Sequence, residues 1–111
     1  MYKTYKFKGG SNIVIREANP NDVPSLQSLD DECLGFVRNY DSYFKENNNF
    51  IYILEEDNKI TAKSEFRMEA AISSDKPNCG YITGVCNISK IHPKKLSKLV
   101  QNTINNINEK V

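Results

Sequence analysis

The feature that most constrains this fold is the run from Phe50 to Ala71. Phe50-Ile-Tyr-Ile-Leu54 is β-branched and aromatic throughout, which suits a strand far better than a helix. Glu56-Asp-Asn58 then supplies residues that favour a turn. Beyond the turn the chain alternates with period two. Ile60, Ala62, Ser64, Phe66, Met68 and Ala70 share one face; Thr61, Lys63, Glu65, Arg67 and Glu69 share the other. That pattern predicts a half-exposed antiparallel strand, and the two segments together predict a hairpin. A lone hairpin is marginal in water, so the rest of the chain must extend the sheet and cover it.

The flanking segments supply those parts. Asn12 to Glu17 reads as a further strand, and Asn19-Pro-Asn-Asp22 as a turn with N-cap residues, with Pro24 in the first helical turn. Val23, Leu26, Leu29, Cys33 and Phe36 then recur at helical spacing and predict an amphipathic helix ending near Gly35, with Asp30, Asp31 and Glu32 on its wet side. Tyr40, Tyr43 and Phe44 suggest a short second helix around Asp41 to Glu46, its aromatics in the core. Ser73 to Gly80 reads as a loop and Tyr81 to Asn87 as a strand. A last helix begins near Pro93 and buries Leu96, Leu99, Val100, Ile104 and Ile107, with Val111 at its end. Residues 1–11 hold Tyr2, Tyr5 and Phe7 between lysines, followed by Gly9-Gly10; an edge strand, an ordered arm and a cloning remnant all fit them. The order is that of one α+β domain over residues 12–111, with roughly four strands and two to three helices packed on the sheet.

With 15 basic and 14 acidic residues the formal net charge is +1, so no global field draws the chain to nucleic acid or membrane. The cysteines, Cys33, Cys79 and Cys86, are odd in number and form no CxxC pair, which argues against a disulfide framework and for a reducing, cytoplasmic setting; no metal site is expected. No stretch has the length and apolarity of a signal sequence or a membrane span.

The segment richest in chemistry is the junction between the last strand and the last helix. Lys90, Lys94, Lys95 and Lys98 cluster there, where unpaired helical N–H groups and the backbone dipoles favour an anion. A phosphate clamp and a solvated helix start fit this cluster about equally. His92 is the single histidine and reads best as a surface or capping residue; Cys79 and Cys86 read as ordinary buried or loop thiols.

Several strings resemble the GNAT superfamily of N-acetyltransferases. Ile13-Val-Ile-Arg-Glu-Ala18 followed by Asp22-x-x-x-Leu26-x-x-Leu29 is similar to that family's first strand and helix. Phe50-Ile-Tyr-Ile-Leu-Glu-Glu-Asp-Asn-Lys-Ile60 is similar to its second strand, turn and third strand, and Tyr81-Ile-Thr-Gly-Val-Cys86 to its fourth. The resemblance implies a mostly antiparallel α+β sheet and acetyl transfer from acetyl-CoA to a primary amine. The coenzyme would be held by Val85, Cys86 and Asn87 at the strand end and by His92, Lys94, Lys95, Leu96 and Ser97 across the loop and helix start. Tyr81, Thr83 and Glu65 become the candidates bordering the acceptor.

Two departures qualify what the resemblance implies. Where the family carries an Arg/Gln-x-x-Gly-x-Gly/Ala loop around the pyrophosphate, this chain has His92-Pro-Lys-Lys-Leu-Ser97. Pro93 has no N–H to offer and Lys95 replaces a glycine that lets a ligand approach closely. Family members also continue after this helix with further strands, a region that commonly supplies the acid for the leaving thiolate. A fragment, a reduced relative, or a domain completed by a partner or a second copy would each account for the difference. The expectations are therefore acetyl transfer with an impaired site or, alternatively, a non-catalytic interaction module on the same fold, in either case with self-association or a protein partner.

Overall fold

The computed structural model describes residues 2–6, 12–40, 43–45, 49–70, 77–88 and 93–110. Five strands form one antiparallel sheet in chain order: β1 (Tyr2–Lys6), β2 (Asn12–Glu17), β3 (Asn49–Glu56), β4 (Lys59–Ala70) and β5 (Pro77–Asn87). Helix α1 (Val23–Leu34) packs on β4 and β5, and α2 (Pro93–Lys110) covers β4 and β5 and reaches β3 and β2. The α+β class is as the sequence implies. The strand β1, paired with β2 from Tyr2↔Arg16 to Lys6↔Asn12, takes the sheet from four strands to five.

Local chemistry sets each boundary. Asn19 and Asp22 close a capping box around the 3-10 turn Pro20–Asp22: Asn19 Oδ1 accepts from the Asn21 N–H and Asp22 Oδ2 from the Asn19 N–H. The Arg16 guanidinium then grips Asp22 with two 2.8 Å hydrogen bonds and also meets Glu55, locking β2, this turn and β3 together. That contact holds the Asp22 carboxyl below its ordinary 3.8. Gly35, at φ 80°, ends α1 in the left-handed conformation that glycine adopts without a Cβ penalty. Asp57 and Asn58, at φ 51° and 65°, form the two-residue turn joining β3 to β4.

The core lies in two layers. Ile13, Ile15, Tyr52, Leu54, Ala62, Phe66 and Met68 meet Leu99 and Ile107 on the α2 side. Ala18, Ile51, Ile53, Ile60 and Cys86 meet Leu26, Leu29 and Tyr40 on the α1 side.

The structure corrects several expectations. The alternation over β4 does not keep one register, because Leu54 pairs with Ala62 while Glu55 pairs with Ile60, leaving Thr61 as an extra residue. This bulge turns Ile60 onto the face of Lys63 and Glu65 rather than that of Ala62. Nor is β4 half-exposed. It lies inside the sheet with a helix on each face, so Thr61, Lys63 and Glu65 are buried. In α1, Leu26 and Leu29 are buried as expected, but Cys33, and Phe36 beyond the helix end, are exposed. Leu29 lies over Cys86 of β5, the last strand of the sheet among the described residues, so the end of α1 sits at the sheet's edge.

The second helix is a single 3-10 turn, Tyr43–Lys45, with residues 41–42 and 46–48 outside the described set. β5 begins at Pro77, inside the segment read as a loop; a proline is tolerated as the first residue of a strand at a sheet edge. In α2, Ile104 is exposed, whereas Asn102, Thr103 and Asn106 are buried. Their side chains bond back to the carbonyls of Lys98, Leu99 and Asn102, which satisfies polar groups at positions that spacing alone would give to apolar ones.

Candidate functional site

The candidate site is built on β5. Among the described residues no strand pairs with its outer edge, so main-chain donors and acceptors there are open to a ligand. Its inner edge is irregular. Glu65 pairs with Gly84 but Phe66 pairs with Ile82, so Thr83 is an extra residue without a ladder partner. A bulge re-aims the side chains on either side of it. Ile82 consequently faces α2 with Phe66, while Gly84 and Cys86 face α1. The simple alternation of Tyr81 and Thr83 against Ile82 and Gly84 is therefore broken at Thr83.

Beside Gly84 lies a cluster of charges between β4 and α1. Lys63 is 1% exposed and Asp30 is fully buried, and the two form an ion pair. Tyr40 donates its hydroxyl hydrogen to Asp30 and accepts from Lys63 Nζ at 2.8 Å. Lys63 also reaches Glu65 at 3.0 Å, and Glu65 takes a 2.6 Å hydrogen bond from Arg38, whose guanidinium lies 5.1 Å from the centre of the Tyr40 ring. Two cations thus face two carboxylates. Burial alone would raise the Glu65 carboxyl, but Arg38 and Lys63 outweigh it and hold it below its ordinary 4.5. Burial and the bond to Asp30 push the Tyr40 phenol well above its usual value, so it stays protonated. The Glu65 carboxylate overlooks Gly84, where a Cβ would come 3.8 Å from Oε2.

A pH prediction follows from these directions. A carboxyl whose folded pKa is depressed adds stability that is full above its unfolded value and disappears as pH falls through the folded one. Urea midpoints are expected to be flat from about pH 7 to about pH 5 and to drop below about pH 4 as Glu65 and Asp22 take up protons. Glu65→Gln should shrink that acid limb; an unchanged limb would show that Glu65 is not held as described.

Of the residues singled out from sequence, the structure brings Glu65, Thr83 and Gly84 together at the bulge, with Val85, Cys86 and Asn87 following along β5. Val85 is exposed, Asn87 half-buried and Cys86 buried under α1 with its thiol pushed up to about 12 by burial and by Cys33. The Cys86 side chain therefore cannot meet a ligand at the outer edge, and only its backbone is available there. Lys94, Leu96 and Ser97 lie on the first turns of α2, Lys94 and Ser97 exposed. Lys95 is half-buried and ion-paired to Glu56 of β3. Lys90 and His92, and the side chains of Cys79 and Tyr81, lie outside what the structure describes.

Sequence reasoning missed Asp30, Arg38, Tyr40 and Lys63 as a unit. One signal was present: Asp30 follows Leu26 by four residues and so shares its buried helical face, although its neighbours Asp31 and Glu32 suggested a wet one.

No protein-family model matches the chain, and no curated protein matches its sequence. Solved structures do match. The chain is similar to a GNAT family acetyltransferase from Staphylococcus aureus subsp. aureus, with 20% identity, 87% of this chain and 78% of that one covered, and a TM-score of 0.65. It is similar to an aminoglycoside acetyltransferase from an uncultured soil metagenomic sample, solved with sisomicin, at 20% identity, 88% and 71% coverage and a TM-score of 0.72. A third likeness is to the ribosomal-protein-S18-alanine N-acetyltransferase of Escherichia coli, at 10% identity, 87% and 60% coverage and a TM-score of 0.64. The fold is thus that of the GNAT acetyltransferases, as the resemblance in β2, α1, β3 and β5 implies. Among the described residues no helix is long and apolar enough to cross a membrane.

Proposed function

We propose that this chain binds acetyl-CoA along β5 and the start of α2 and passes the acetyl group to an amine. The observation that carries this reading is the bulge at Thr83, which sets an irregular, open-edged strand beside the fixed carboxylate of Glu65. Main-chain groups on such an edge suit the amides of a pantetheine arm. The start of α2 suits a pyrophosphate less well. Pro93 lacks an N–H, and Lys95 is held by Glu56, which a phosphate must displace. The site is therefore one with weakened coenzyme binding, resting on lysine charge more than on fixed amides.

When bound, acetyl-CoA supplies an activated thioester, and the chain contributes position and electrostatics. Glu65, kept ionised by Arg38 and Lys63, is too weak a base to take a proton outright. Its role is to draw an ammonium acceptor to the bulge, from which water removes the proton. A recess of about 380 Å³ lined by Pro20, Val23, Tyr40, Phe44 and Lys45 lies on the same face and gives room for the body of an acceptor. Neighbours of this fold act on acceptors as different as an aminoglycoside and a ribosomal-protein alanine, so the fold does not choose the amine.

Acetyl-CoA turnover against a panel of polyamines, aminoglycosides and peptide α-amines tests this reading. Glu65→Gln is expected to lower kcat/KM by about 10- to 100-fold, the worth of a hydrogen bond to a charged group, mainly through KM for the amine. No turnover with any amine, or a Glu65→Gln variant of unchanged kcat/KM, would count against it.

A second reading, an interaction module, is favoured by one specific observation. Leu34 at the end of α1, Phe36 and Val37 just beyond it, and Val85 on β5 are 48%, 57%, 59% and 42% exposed. A second copy pairing edge to edge along β5 would be self-complementary about a two-fold axis. Sedimentation at high micromolar concentration is expected to show a dimer that Val85→Lys weakens. Because one edge cannot serve both occupants, acetyl-CoA should shift it towards monomer. A monodisperse monomer at that concentration would contradict this arrangement.

A further inference from the structure

Cys86 points from β5 towards α1, and its Sγ lies 3.7 Å from the main-chain oxygen of Leu29. Cys33 stands one helical turn beyond Leu29, where the helix directs its N–H at that same carbonyl. The Leu29 carbonyl thus stands between the Cys86 thiol and the Cys33 backbone, which sets the two cysteines side by side. Their exposures are opposite: Cys33 is open to solvent and Cys86 is buried.

We propose that Cys33 and Cys86 are a redox-active pair that closes to a disulfide, pinning the last turn of α1 to β5. Cys33 is the accessible partner, and burial keeps Cys86 inert until its neighbour has been oxidised. The oxidant is a low-molecular-weight disulfide. The Cys33 thiolate attacks one of its sulfurs, forming a mixed disulfide and expelling the first small thiolate. Cys86 then gives up its proton, and its sulfur attacks the Cys33 sulfur and expels the second. The two cysteines together lose two electrons and two protons, and the small disulfide is reduced to two thiols. The bond closes a loop that contains the whole β3–β4 hairpin, so it ties the α1 layer to the edge strand. This inference is independent of acetyl transfer.

The test uses the full chain carrying Cys79→Ser, which leaves only this pair, incubated with glutathione disulfide. Free thiols are counted after denaturation and peptides are mapped by mass spectrometry. The expected result is loss of both thiols, a cross-linked peptide pair joining Cys33 to Cys86 within one chain, and full reversal by dithiothreitol. Adding Cys33→Ser, a change at an exposed position, should leave Cys86 reduced throughout. Two outcomes would overturn the proposal. In one, Cys33 stops at the glutathione adduct while Cys86 keeps its thiol; in the other, Cys33 joins to Cys33 of a second copy.

Discussion

Lys63→Met is expected to destabilise the domain by about 3–5 kcal/mol, a shift in urea-induced unfolding of roughly a thousandfold in the folded-to-unfolded ratio. Lys63 is 1% exposed and is the cation that Asp30, Tyr40 and Glu65 all face. Methionine matches its length but leaves Asp30 as a buried carboxylate with only the Tyr40 hydroxyl to satisfy it. The cost is that of an uncompensated buried charge, not the net worth of the pair, and a double variant separates the two. Lys63→Met with Asp30→Leu removes both charges and should recover most of the lost stability, because an apolar pair of similar volume packs without desolvation cost. If the double variant is as unstable as the single one, the cluster acts through shape and not through charge.

The fold was legible in the sequence where local chemistry and periodicity agree. The hairpin over Phe50 to Ala70 announced itself through β-branched residues, alternation and Asp57-Asn58 at the turn. Leu26, Leu29 and Gly35 did the same for α1. The misreadings share one physical cause: a side chain's environment depends on what packs across from it. The bulges at Thr61 and Thr83 arise from pairing between strands, so no single strand reveals them, and each reverses the faces assigned beyond it. The polar face of β4 looked wet because its covering helix brings Asp30 to meet Lys63, a match between residues far apart in the chain. Asn102 and Asn106 are buried because they bond to their own helix, which periodicity of apolar residues does not register. At the site, Glu65 and Thr83 were identified from a resemblance. Their juxtaposition across the bulge, and the two cations holding Glu65, come from tertiary structure alone.

Changing Lys94 and Lys95 together to alanine is expected to abolish acetyl-CoA binding while leaving the fold intact. Lys94 is exposed and Lys95 half-buried on the first turn of α2, away from the Leu99 and Ile107 contacts that seat the helix. With Pro93 offering no N–H, the proposed site would draw most of its attraction for a pyrophosphate from these two side chains. The pairing of Lys95 with Glu56 adds a graded control. Glu56→Gln removes the competing carboxylate, so it should tighten coenzyme binding where the double alanine variant eliminates it. Unchanged circular dichroism together with unchanged binding in the double variant would place the coenzyme elsewhere.

Calorimetric titration of the unmodified chain with acetyl-CoA at low and high salt is the most direct measurement of the central claim. A site built on lysines at a helix start should saturate at one equivalent in low salt and lose affinity steeply as salt screens it. No saturable heat at any salt concentration would contradict acetyl-CoA binding outright. Tight binding that ignores salt would contradict the placement of the coenzyme on Lys94 and Lys95.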